Sequence, residues 1–474
     1  MSRNNFTLAP IFSDNMILQR DELVPFYGEA APFSNVEVKA GDKIVQTTTD
    51  GEGHFTLYIG PFSAGEEHNF YFLSGDKTIS LKNILFGDVY LAAGQSNIEF
   101  PLENDIEITK EELNWTKIRY YNVPQIEYSG HTMPKQKWQN ANKDMSAVAY
   151  YFAVKMYQEA PEVPIGIIGC YKGGTSASCW IPKKILNLSK QLKKTYVEPF
   201  EKAVSNKTVA ELEREREAFE QKSRVFSKRK EAFVAEHPEL SLKEIKLTLG
   251  HSPWPPPMTP KSYGRPGGLY ETMFRTIVRL RFKAVLWYQG EEDAQFGKVY
   301  EELLETLIGI WREELAQPRL PFFVVQLPRY ENAPKGSWPI IREIQANITK
   351  RIPVTYLVTS IDDGEAFDIH PPSKRVIGER LALITNSVLN RKMSGITPMI
   401  DSVNFPYVEV ENAKKLTIIG EYPFNIPRIE IHESKLKIPE TNIKTLKYAF
   451  ENYPKGYLVN ELGIPVSPFK VAIK

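Results

Sequence analysis

Cysteine is nearly absent: Cys170 and Cys179 are the only two in 474 residues. No disulfide framework can hold such a chain together, so a hydrophobic core has to do it. The two thiols could pair, but two reduced, buried cysteines are the plainer expectation. Long apolar runs are missing as well, and none approaches the roughly 20 residues of a membrane-spanning helix. The opening "MSRNNFTLAPIF" has one arginine with no apolar stretch behind it, so it does not read as a signal peptide. These absences make a cytoplasmic protein the expectation, or a secreted one if a leader has been removed.

An excess of either charge is lacking too. Lysine plus arginine total 59 against 58 acidic residues, a formal charge of +1. That balance offers no basic footprint for nucleic acid and no polybasic arm for a membrane. The seven histidines form no i, i+4 pair and no Cys/His cluster, so no metal site is expected. No G-x-x-x-x-G-K-[ST] loop occurs, and "YKGGTSAS" lacks the Rossmann spacing, which disfavours nucleotide binding and leaves no cofactor implied.

What the chain does have is length and rings. Its 474 residues suffice for about three domains. The 23 tyrosines and 25 phenylalanines could line a carbohydrate site, although such rings more often fill a core. Residues 1–85 alternate short apolar runs ("NVEVKAG", "HFTLYIG", "NFYFLSG") with turn signals such as "DGEG" and "SGDK", a pattern that predicts a small antiparallel sandwich. Between 86 and 395 the rhythm changes. Continuous apolar strands ("DVYLAAG", "KIRYYNV", "VPIGIIGC", "FKAVLWYQG", "PFFVVQL", "VTYLVTSID") alternate with helical stretches such as "VYEELLETLIGIWREEL". This predicts an α/β domain with a parallel sheet covered on both faces.

A charged insertion at about 200–262 interrupts the alternation. Leu212, Phe219, Phe226 and Phe233 recur in it every seven residues. Such a narrow stripe fits a long helix packed on the body, with a homodimer contact as the alternative. The proline-rich "HSPWPPPMTPKSYGRPGG" then returns the chain as a loop that could wall a cleft. Residues 396–474 resume short strands and predict a second small β unit.

In an open parallel sheet, ligands bind at the carboxyl ends of the strands. The first such end delivers Gln95 and Ser96 after the small residues Ala92, Ala93 and Gly94. Others deliver the glycine turn "YKGGTSASCW", the run Gln289-Gly290-Glu291-Glu292-Asp293, and the loop "GEAFDIHPPSK" with Asp368 and His370. Serine, glycines, carboxylates and histidine are the parts of a serine hydrolase. The hydroxyl needs an imidazole to take its proton, the imidazole benefits from a carboxylate, and the oxyanion needs exposed N–H donors. No G-x-S-x-G elbow surrounds Ser96, which argues against an ordinary α/β-hydrolase. Among the histidines only His370 follows a sheet strand, has a nearby acid and precedes Pro-Pro. His131 and His251, in loops, are outside candidates.

"GDVYLAAGQSNIEF", "GGTSASCWIP", "LWYQGEEDA" and "DIHPPSKRVIGERLAL", in this order, resemble the blocks of sialate O-acetylesterases and related carbohydrate acetylesterases of the SGNH hydrolase superfamily. Both ends of the chain are similar as well, and only the charged insertion falls outside the likeness. The resemblance implies an SGNH-hydrolase-like (flavodoxin-like) sheet with accessory β-sandwich units at both termini. It implies Ser96 as nucleophile, His370 as general base and then acid, and the N–H groups of Ser96 and Gly173 as oxyanion donors. Asp368 and Glu291 are both open as the acid that orients His370. Gln95, Gln289 and Asp293 complete the candidate oxyanion or substrate-binding set. Where the family commonly reads "GESNA", this chain has "GEEDA", so Asp293 stands in place of an amide donor and an ionised carboxylate cannot donate. The implied substrate is an acetylated mono- or oligosaccharide, sialate or plant glycan. A carbohydrate-binding protein with weak turnover is the alternative, and a lipase or peptidase a third reading.

Overall fold

The computed structural model describes residues 6–108, 115–128, 136–240, 242–250, 252–392 and 395–473. At its centre are six strands: β1 (Lys77–Gly94), β2 (Ile118–Asn122), β3 (Ile165–Tyr171), β4 (Ala284–Tyr288), β5 (Phe322–Val325) and β6 (Thr355–Val358). They lie in the order β2-β3-β1-β4-β5-β6, and every neighbouring pair among them is parallel. Alternation along β1 sorts side chains between two cores. Val89, Leu91 and Ala93 enter one, and Tyr90 and Ala92 the other.

Seven helices matter for the site: α1 (Ser96–Glu99), α2 (Ala147–Glu159), α3 (Val209–Glu236), α4 (Leu242–Leu249), α5 (Val299–Glu314), α6 (Ser337–Arg351) and α7 (Arg375–Leu389). Helices α2 and α7 pack on each other and share the Tyr90 core, while α5 and α6 cover the opposite face through Leu303, Trp311, Trp338 and Ile341. The result is the mixed α/β fold that the strand–helix alternation predicts.

The N-terminal unit is joined to this sheet by a shared strand. The first half of β1 pairs antiparallel with Glu67–Ser74, and residues 88–94 pair with β3 and β4. The change of rhythm near residue 86 therefore lies inside a single 18-residue strand. Phe26, Phe70 and Phe86 also belong to the same core as Trp287 and Trp311, so the two units are packed as one body. Cys170 and Cys179 are unpaired and buried, and burial pushes both thiols up.

The C-terminal unit has its own core of Val408, Leu436, Leu446, Tyr448 and Leu458. Arg342 of α6 joins it to the sheet. Its guanidinium is wholly buried and donates to the carbonyls of Leu327 (2.8 Å), Pro328 (2.6 Å), Glu451 (2.8 Å) and Asn452 (3.1 Å). Burial, and then the charge of Arg329, push its pKa down to about 9. Arg342→Met would leave those carbonyls without a donor. The expected loss is about 3–5 kcal/mol of unfolding free energy, read from the urea midpoint at constant slope.

In the charged insertion, α3 buries Leu212 fully and half-buries Phe219, Phe226 and Phe233, so the seven-residue stripe is the side turned away from solvent. Thr208 caps the helix with Glu211 in a reciprocal capping box. The exposed surface is laced with ion pairs such as Lys207–Glu215 (2.7 Å) and Lys261–Glu213 (2.9 Å). Among the described residues no helix is long and apolar enough to cross a membrane.

Candidate active site

The small residues at the end of β1 have a steric reason. Gly94 has φ +136°, and a Cβ there would meet the Tyr288 carbonyl oxygen of β4 at 2.1 Å. Only glycine lets β1 run this close to its neighbour while turning. Gln95 then donates its N–H to the Tyr288 carbonyl (3.1 Å), and α1 begins at Ser96. Gln95 and Asn97 are buried on either side of a half-exposed Ser96. The strand thus ends by presenting one hydroxyl.

Asn97 is fully buried and ties three segments together. Its Nδ2 donates to Glu291 Oε1 (2.6 Å) and to the Ile369 carbonyl (3.1 Å), and its Oδ1 accepts from Lys374 Nζ (2.8 Å). Lys374 also donates to the Pro371 carbonyl (2.7 Å) and lies over the Phe100 ring. The Ser96 turn, the Glu291 turn and the loop of His370 are thereby one hydrogen-bonded unit. Burial lowers the Lys374 ammonium to about 8, against the opposing pull of Asp363, Glu291, Asp105 and Asp368. Burial raises Glu291, whose second oxygen, Oε2, is enclosed and has no hydrogen-bond partner.

Asp368 lies beside His370. Its Oδ1 accepts the His370 backbone N–H (3.1 Å) and sits 3.9 Å from the imidazole Nδ1. Glu291 lies under Asn97 instead. Asp368, Ile369 and His370 line a cleft of about 410 Å³ whose other wall is the insertion, through Phe226 and Lys230 of α3 and Ile245 and Leu249 of α4.

On the other side of Ser96 is the glycine turn. A Cβ on Gly173 would come 3.4 Å from Ser96 Cβ, so the two residues touch. The Gly173 N–H donates to Glu99 Oε2, and Gln125 Nε2 donates to Glu99 Oε1 (2.6 Å). The amide assigned to the oxyanion thus holds a carboxylate oxygen. Gln95 Oε1 faces the N–H groups of Glu292 (3.3 Å) and Gly290 (3.5 Å), bracing the next turn.

Asp293 and Gln289 are wholly buried behind this surface. Asp293 accepts from Ser176 Oγ (2.7 Å), the Ala177 N–H (2.8 Å), Gln289 Nε2 (2.7 Å) and Tyr196 OH (3.1 Å). Gln289 adds a bond from Nε2 to the Thr175 carbonyl (3.2 Å) and takes one from Tyr300 OH (3.1 Å). In this structure the pair braces the glycine turn from behind and does not face the cleft. Four hydrogen-bond donors in one pocket suit a carboxylate, which is acceptor-only when ionised.

Burial raises all three carboxyls of this run, Glu291, Glu292 and Asp293. Burial, then Asp293 and Glu291, push Glu292 up to about 7. Its folded pKa lies above the unfolded value of 4.5, so the folded state holds the extra proton between those limits. Stability falls as pH rises through 4.5, and the penalty is complete above 7. Glu292→Gln should stabilise the protein by about 3 kcal/mol at pH 8 and by under about 1 kcal/mol at pH 5. Urea midpoints at the two pH values check this.

Residues 258–386, which contain Glu291, Asp368 and His370, match the family described as carbohydrate esterase, sialic acid-specific acetylesterase. The chain is similar to the sialate O-acetylesterases. It is 23% identical to the mouse sialate O-acetylesterase over 66% of this chain and 58% of that protein. The rat sialate O-acetylesterase is 22% identical over 81% and 73%. The match to the mouse protein thus spans less than two thirds of that protein's length. A carbohydrate acetylesterase from Xanthomonas citri has the same fold, with a TM-score of 0.78, 22% identity, and coverage of 99% of this chain and 100% of that one.

Asn97, Lys374, Glu99 and Trp254 surround the candidate site, and sequence reasoning passed over them. Asn97 and Glu99 stood inside the quoted "GQSNIEF", and their polarity next to a buried strand was the available signal. The Trp254 ring covers Gly174, where a Cβ would meet its Cη2 at 2.2 Å, and the indole is half exposed. Of the other histidines, His54 and His432 pair with surface glutamates, while His68 and His237 pack on Phe62 and Phe233. His131 and His251 lie outside the described residues.

Proposed function

We propose that this chain is a serine esterase of the SGNH type that removes O-acetyl groups from acetylated sugars. Ser96 Oγ attacks the acetyl carbonyl as His370 takes its proton, and Asp368 holds the imidazole in place. The tetrahedral oxyanion forms against the amides of Ser96 and Gly173. His370 then passes the proton to the sugar oxygen, the C–O bond breaks, and the sugar alcohol leaves. Water, deprotonated by His370, attacks the acetyl-Ser96 ester, and acetate leaves as Ser96 regains its proton.

The observation that carries this reading is the Asn97 tie, which fastens the turn bearing Ser96 to the loop bearing His370. The Gly173 N–H lies beside the serine and already binds an anionic oxygen, that of Glu99, which has to move off this amide before the oxyanion can take its place. Asp293 gives no reason to infer lost turnover, because its four donors account for the carboxylate as a brace. Acetate release from acetylated xylo-, manno- and sialo-oligosaccharides tests the proposal and ranks the sugars. Binding of these sugars with no acetate released from any would favour the carbohydrate-binding reading.

A further inference from the structure

The insertion encloses the site on two sides. Its helices face His370 across the 410 Å³ cleft, a volume within the range of roughly 300–1,000 Å³ found for small-molecule sites. The wall is formed by Phe226, Ile245 and Leu249, with Tyr330 across from them. Ser252 also lines the cleft, and two residues later Trp254 covers Gly174 beside the Gly173–Ser96 contact. The insertion and the loop after it therefore supply a wall of the cleft that His370 lines and an aromatic ring over the glycine turn that adjoins Ser96.

Stability alone does not account for this arrangement. Only Leu212 of the 28 residues of α3 is buried, yet Phe226 is held over the cleft and Trp254 leaves half its indole in solvent. A flat ring with an apolar face and a polar rim suits the face of a pyranose, whose axial C–H groups are apolar while its hydroxyls remain wet. An acetyl group on Ser96 needs little of this space. The remaining room fits more sugar.

We infer that residues 209–240, 242–250 and 252–258 contribute to a subsite for the sugar units flanking the acetylated one, with Trp254 and Phe226 as its aromatic walls, so that the enzyme is selective for oligosaccharides over monosaccharides. The inference rests on the esterase reading and adds the size of the substrate to it.

The test compares kcat/KM for an acetylated oligosaccharide with that for its acetylated monosaccharide. The xylose, mannose and sialic acid series are used with the full chain, Trp254→Ala and Phe226→Ala. The native ratio should exceed 10 in the series it prefers, and each variant should lower it at least fivefold. Partial misfolding lowers both rates alike and cancels in the ratio, so a merely structural role leaves it unmoved. A native ratio near 1, or variants that keep the native ratio, would overturn the inference while Ser96-dependent acetate release continued. Absence of acetate release from every sugar ester would overturn the esterase reading first, and this inference with it.

Discussion

Ser96→Ala should lower kcat for acetyl-ester hydrolysis by about 10⁴-fold or more, because the proposed mechanism forms its acetyl-enzyme on Ser96. Among the described residues Ser96 Oγ makes no hydrogen bond that the packing needs, so the urea midpoint should stay within about 0.5 kcal/mol of native. That combination, a collapsed rate with an intact fold, separates a nucleophile from a structural serine. Acetate release and urea unfolding on the same preparation measure it. A variant that retained a tenth of the native rate would remove Ser96 from the mechanism.

Lys374→Met should be the most damaging substitution for stability near the site. The ammonium is the cation among Glu291, Asp363, Asp105 and Asp368, and it holds Asn97 Oδ1 and the Pro371 carbonyl. Removing one partner from a buried charged network typically costs about 3–5 kcal/mol. A smaller effect on rate follows even in the molecules that remain folded. Asn97, no longer held at Oδ1, can rotate away from Ile369, and the loop bearing His370 loses its tie to the turn bearing Ser96. A misplacement of this kind lowers kcat by about 10²-fold with little change in KM. Urea unfolding together with kcat per folded molecule checks both parts. A variant with native stability would show that the carboxylates do not need the cation.

Much of this site could be read along the chain because the chemistry sits at strand ends. The strands before Ser96, Gly173 and Glu291 lie side by side, so those ends adjoin, while the loop of His370, which follows a strand two places further along, is reached through the Asn97–Ile369 bond. What stayed hidden depends on partners remote in sequence. Lys374, in "PPSKR", has the look of a surface lysine, and nothing local says that Asn97, 277 residues earlier, accepts its hydrogen bond. Asp293 read as a donor gone missing, because comparison by position cannot reveal the Ser176 and Tyr196 hydroxyls that surround it. The boundary near residue 86 was visible as a switch from alternating to continuous burial, but a strand shared by two sheets gives the same signal as two adjacent domains. The stripe at Phe219, Phe226 and Phe233 disclosed a packing side but not the cleft it faces.

The most direct test of the central claim is to catch the covalent intermediate. His370→Ala should slow hydrolysis of any acetyl-enzyme formed with a reactive ester such as 4-nitrophenyl acetate. The acid-quenched protein is digested and the acetylated peptide identified by mass spectrometry. The account predicts one acetyl group, carried by the peptide containing Ser96 and absent when Ser96→Ala is added. Acetylation at another residue, or undiminished acetate release from Ser96→Ala without any adduct, would contradict it.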